Sequence, residues 1–171
     1  MSTSSDALQD SRVLKGLQLA KRTLYYIDPR LGILASSLAV RNKPDLPTYA
    51  ATSAYMVIFL NEKLIVEKLA ALSDADFSLV IAFFVFHEYA HHMLRFWKRM
   101  AMHGYDPQIL NIAQDLVINY LAENAFGSSL APLIDKLGVV TVRTFQFPEG
   151  LSTDAYYKLL IQDKEQTLQQ L

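Results

Sequence analysis

Cysteine is absent from the 171 residues, which excludes disulfides and thiolate metal sites. Glycine and proline are sparse, six of each, too few for a collagen-like or low-complexity chain. Charge of one sign is lacking as well. Sixteen Lys and Arg stand against seventeen Asp and Glu, a formal net charge of −1, so no basic excess exists to neutralise a phosphate backbone, and nucleic acid is not expected as a partner. Long apolar runs are missing: the longest, Leu79 to Phe86, falls far short of the roughly 20 residues that cross a bilayer. Asp74, Asp76, His87 and Glu88 flank it, as befits a buried helix, so no membrane association is expected. The opening MSTSSDALQDSR lacks the basic-then-apolar pattern of a secretory signal, and a cytoplasmic location is the expectation.

What is present is core-forming material. Hydrophobic residues make up 51% and charged residues 19%, enough for one domain over residues 1–171. Residues 1–27 contain an amphipathic helix, Ala7 to Tyr26, stopped by Asp28-Pro29. Leu31 to Val40 and Tyr49 to Leu60 read as a pair of strands around the turn RNKPDLP. A second helix is expected from a capping box at Ser73–Asp76 to about Met100, and a third from about Pro107 to Glu123. Val139 to Phe147 reads as a strand. A terminal helix runs from Thr153 to about Gln170, with Ser152 as its N-cap. The pattern is α+β: a small mixed or antiparallel sheet packed against several helices.

Three of the four histidines lie within His87-Glu88-Tyr89-Ala90-His91-His92, which contains HExxH. Residues four apart share one face of a helix, so His87 and His91 can place two imidazoles on one zinc ion while Glu88 reaches a water beside it. A catalytic zinc needs a third protein ligand. The candidates are His92, His103, Asp106, Asp115 and Glu123; His92 is turned about 100° from His91 and suits a supporting role better. Asn111, Asp115 and Asn119 recur every four residues along an otherwise apolar helix. By itself this is a solvated stripe continued by Gln114 and Glu123; beside an antiparallel HExxH helix it brings Asp115 opposite His87 and His91.

Several stretches resemble a metallopeptidase domain family of bacteria and phages, usually found N-terminal to a von Willebrand factor A-like domain. They are Tyr49-Ala50-Ala51-Thr52, the strand Tyr55 to Phe59 with Leu60-Asn61, HEYAHH, Asn111 to Asn119 as NIAQDLVIN, and Phe147 to Leu160 as FPEGLSTDAYYKLL. The resemblance covers residues 28–160 and leaves 161–171 as the end of the last helix. It implies a zincin-like fold with His87, His91 and Asp115 as zinc ligands and Glu88 as catalytic acid/base. The chain stops soon after the last matching helix, so beside the resemblance two expectations stand open: a free-standing enzyme, or one dependent on a separately encoded von Willebrand factor A-like or ATPase partner, in a bacterium or a phage-infected host cell.

The activity expected is zinc-dependent hydrolysis of peptide bonds in a peptide or protein substrate, with Glu88 moving the water's proton to the leaving amine. Asn111 and Asn119 would orient Asp115 or an imidazole. Tyr157 leads His103, Tyr105 and Arg143 as a donor to the developing oxyanion. The strand carrying Tyr55, Val57 and Phe59 would offer an edge for an extended peptide, while Phe83, Phe84, Phe86, Phe96 and Trp97 are expected in the core. A carboxylate-bridged di-iron site is excluded because no second ExxH exists. The alternative is an inactive zinc-binding structural or partner-binding protein.

Overall fold

The computed structural model describes residues 7–169; residues 1–6, which precede the expected first helix, and residues 170–171, where the last helix is expected to end, lie outside the described residues. Asp10 opens α1 (Ser11–Ile27), its carboxylate accepting from the backbone N–H of Arg12 at 2.8 Å and of Val13 at 3.3 Å. The helix stops at Asp28-Pro29 as expected, but the same pair starts another. Asp28 Oδ1 accepts from Arg30 N at 2.9 Å, and Pro29 takes the first helical position, where no N–H is needed. The result is α2 (Pro29–Ser36). The strand expected over Leu31 to Val40 is therefore corrected: only β1 (Ala39–Asn42) is extended.

Tyr49 to Leu60 is a hairpin and not one strand. It comprises β2 (Ala50–Thr52), a turn with Met56 at φ 60°, and β3 (Val57–Leu60). The sheet order is β1-β3-β2, with β3 parallel to β1 and antiparallel to β2. The RNKPDLP segment thus joins two strands that do not pair. Asn61 holds that connection across the end of β3, its Nδ2 donating to Pro44 O at 3.1 Å and Leu46 O at 2.7 Å. Asn61 Oδ1 meanwhile accepts from Leu64 N at 2.9 Å, capping α3 (Glu62–Lys68), an element the sequence pattern did not announce.

Ser73 caps α4 (Asp74–Met93) through Asp76 N at 3.1 Å. The single helix expected to Met100 breaks at Leu94-Arg95, where Arg95 adopts φ 57°, and resumes as α5 (Phe96–His103). There follow α6 (Pro107–Phe126), α7 (Ala131–Lys136), α8 (Val142–Phe145) and α9 (Thr153–Gln169). The strand expected over Val139 to Phe147 is corrected to the short helix α8. Thr144 Oγ1 accepts from Thr141 N at 3.1 Å, and Arg143 ties the turn to Glu123 and Asp135, both at 2.8 Å.

The apolar run inside α4 is covered all round by α1, the sheet, α6 and α7. Gly16 sets the distance to α1: a Cβ there would lie 2.6 Å from Ile81 Cγ2. Phe77, Ile81, Phe83 and Tyr89 are fully buried, each contributing about 1.5–3 kcal/mol by burial. By length and composition, Asp74–His103 would also suffice to cross a membrane, yet 61% of its apolar window is buried inside the fold, as in a core helix. The opposite face of α6 joins a second cluster with Val142, Tyr156 and Leu160. The seam between α4 and α6 therefore lies inside the protein, and the polar residues of both helices meet there.

Candidate metal centre

His87 pairs with Asn119 and, one turn on, His91 pairs with Gln114, so α4 and α6 run antiparallel. Asp115 faces both histidines. Its Oδ1 lies 3.2 Å from His87 Nε2 and 3.2 Å from His91 Nε2, and the two Nε2 atoms lie 3.2 Å from each other. These three residues could hold a metal ion.

The protonation pattern follows from neighbouring backbone. Asn119 Nδ2 donates to Val140 O at 2.6 Å, so its Oδ1 faces His87 Nδ1 at 2.9 Å. Gln114 Nε2 donates to Leu94 O at 3.2 Å, so its Oε1 faces His91 Nδ1 at 3.0 Å. Each Nδ1 therefore carries hydrogen, and Nε2 is the atom that takes up a proton or, in the neutral ring, presents a lone pair to an ion. Two imidazole lone pairs and a carboxylate oxygen converge, and Asp115 Oδ1 is buried without a hydrogen-bond donor. Such a cluster requires positive charge at its centre. A proton can bridge one pair; a divalent cation meets all three atoms.

Size agrees with that requirement. Bonds of about 2.0–2.1 Å in a tetrahedral site separate the ligand atoms by about 3.3 Å, against 3.2 Å along each edge here. Burial works against a charged His87, but the facing Asp115 outweighs it and holds the imidazole pKa above its ordinary value. Burial likewise raises Asp115, and the two imidazoles outweigh it, so that carboxyl is held down. Asn111 Nδ2 donates to Asp115 Oδ2 at 3.1 Å, fixing the carboxylate plane.

The cluster opens into a cavity of about 340 Å³, with Glu88 on its wall. Glu88 has no hydrogen-bond or ion-pair partner among the described residues, and its burial raises its pKa, an effect that His87 and His91 partly offset. One wall is strand β2, through Ala50, Ala51 and Thr52; the facing wall is the start of α5, through Phe96 and Trp97. Thr52 Oγ1 and His92 Nε2 share a hydrogen bond of 2.7 Å that pins β2 to α4. His92 thus has a structural partner away from the three converging atoms.

Several expectations are corrected. Tyr157 is not in the cavity: its hydroxyl accepts from Asp106 N at 2.8 Å, and its ring stacks on Tyr105 at 4.2 Å. His103 stacks on Tyr105, Asp106 caps α6, and Glu123 pairs with Arg143. Of the third-ligand candidates, Asp115 alone joins the two histidines. Tyr55 sits in the hairpin turn, 90% exposed. Val57 and Phe59 lie on the central strand, paired on both sides, so β3 offers no edge; β2 does. Ser53 N donates to Val57 O and Tyr49 O accepts from Asn61 N, so by alternation Ala50 and Thr52 turn their backbone groups away from β3.

Phe83, Phe84 and Phe86 are core residues as expected, whereas Phe96 and Trp97 line the cavity. The residue that sequence reasoning missed is Gln114. Placed there on a solvated stripe, it is fully buried and fixes His91. The antiparallel register contained the signal: a partner for His87 at position 119 puts the partner for His91 about one turn earlier. Compared with known proteins, the chain matches no family model, no curated protein and no solved structure.

Proposed function

We propose that the protein is a zinc-dependent metallopeptidase of zincin-like fold. The observation that carries the reading is the triangle of two imidazole nitrogens and one carboxylate oxygen, with an unpartnered glutamate beside it on the wall of an open cavity. Two imidazoles and a carboxylate suit zinc, and a three-ligand set leaves a position for water. Zinc held there would lower the pKa of its water toward about 7 and polarise a carbonyl.

The chain's own residues supply the rest. Glu88, committed to no other group, takes a proton from the attacking water and delivers it to the leaving amine. Asn119 and Gln114 keep both Nε2 atoms aimed at the centre, and Asn111 does the same for Asp115. An extended peptide adds to the outward edge of β2, using the backbone groups of Ala50 and Thr52. The resemblance of HEYAHH and NIAQDLVIN to the bacterial and phage metallopeptidase domain supports the same reading.

Elemental analysis and a peptide-library cleavage assay on purified protein test the proposal. The parent is expected to carry one zinc per chain and to cleave. Glu88→Gln should keep the zinc and lose about 10²–10⁴-fold in rate. Stoichiometric zinc with no Glu88-dependent cleavage would overturn the peptidase reading in favour of an inactive zinc-binding protein.

A further inference from the structure

Beside the metal cavity, on the Glu88 side, lies a second hollow of about 160 Å³, lined among others by Thr48, Tyr49, Phe83, Phe84 and Val139. It shares His87 and Glu88 with the metal cavity but neither His91 nor Asp115. Tyr49, its ring stacked on Phe84 at 5.2 Å, also lines a third hollow of about 220 Å³ with Leu69, Leu72, Leu133, Leu137, Lys68 and Lys136. Glu88 thus borders the first and second hollows, and Tyr49 borders the second and third.

We propose that this distal hollow is a recognition site for an apolar side chain accompanied by a carboxylate, belonging to the substrate segment that follows the scissile bond. The inference rests on the peptidase reading. The leaving amine collects its proton from Glu88, so the segment bearing that amine runs over Glu88 into the second hollow and on past Tyr49. The distal space is smaller than the roughly 300–1,000 Å³ of pockets for drug-sized ligands, and four leucines suit it to an aliphatic group. Its two cations are available. Lys136 has no ion-pair partner among the described residues, and Lys68 has only an exposed contact with Glu67 at 3.7 Å.

Lysines in a last helical turn often answer the helix dipole. Here four carbonyls near those helix ends are already bonded: Leu133 by Leu137, Ile134 by Val139, Asp135 by Gly138, and Ile65 by Leu69. A carboxylate from a chain end or from an acidic side chain presents the same chemistry to the two ammonium groups.

Zinc-loaded Glu88→Gln protein is titrated with a dansyl-tagged oligo-alanine peptide ending in two leucines. Three forms are used: the free acid, the carboxamide, and a carboxamide with one leucine replaced by aspartate. The same peptides are offered to the parent for cleavage. The free acid should bind roughly fivefold tighter than the carboxamide, and the double variant Lys68→Ala/Lys136→Ala should bind both alike. Tight binding of the aspartate form assigns the site to an acidic side chain; weak binding assigns it to a chain end. Equal affinity for acid and carboxamide, or a preference that survives in the double variant, overturns the inference. Cleavage by the parent without that preference leaves the peptidase reading standing, whereas neither binding nor cleavage of any form removes both.

Discussion

Replacing Gln114 by leucine removes the one acceptor that holds His91 in its lone-pair-inward form. The bond lost is 3.0 Å long and fully buried, so the Nδ1–H of His91 is left without a partner at a cost of about 1–3 kcal/mol. Loss of such an orienting group typically weakens metal binding 10–100-fold, or about 1.4–2.8 kcal/mol. The fold should survive, because Leu94 O keeps its bond from Arg99 Nε at 3.0 Å and leucine fills similar space. Zinc affinity is read by competition with a chromophoric chelator, with circular dichroism confirming the helices. Gln108→Leu, at an exposed position of the same helix, should match the parent. A folded Gln114→Leu protein with parental zinc affinity would refute the argument that this amide fixes the ligand.

Zinc should also raise thermal stability. At a free concentration 100 times Kd the gain is about 2.7 kcal/mol, about 5–11 °C in Tm for a chain of this size. Differential scanning fluorimetry with and without chelator measures it; Asp115→Ala should abolish the shift, and a parent that does not respond would refute the three-ligand site. Gly16→Ala forces a methyl against Ile81 Cγ2 at 2.6 Å and should cost about 1–3 kcal/mol in urea unfolding. An unchanged midpoint would contradict the close approach of α1 and α4.

The candidate ligands on α4 were legible because four-residue spacing on a helix is a local rule, and the polar stripe of α6 obeyed the same rule. The long helices and the caps at Ser73 and Ser152 could be read for similar reasons. Short elements could not. Over eight residues, the composition of Pro29–Ser36 suits strand or helix, and the cap formed by Asp28 decides. The break at Leu94-Arg95 has no glycine or proline to announce it, and it moved Phe96 and Trp97 from the expected core to the cavity wall. The strand order hid the edge, because two side-chain bonds of Asn61 carry the connection from β1 past β3. Gln114 was hidden because a buried polar residue and a solvated one look alike until its partner is placed.

That break also has a mechanical consequence. A continuous helix would spend the Leu94 carbonyl on its own next turn; here the freed oxygen receives both Gln114, which holds His91, and Arg99 of α5. Phe96 and Trp97, which face the cavity, belong to that same short helix. A guest pressing on α5 and an ion bound to His91 therefore pull on opposite ends of one linkage. Reciprocity requires that any shift of α5 favouring the guest change affinity for the ion by the same factor. Under the proposed function, grip on the metal and grip on the substrate become a single adjustable property, and a change at Trp97 should register at the ion without touching it.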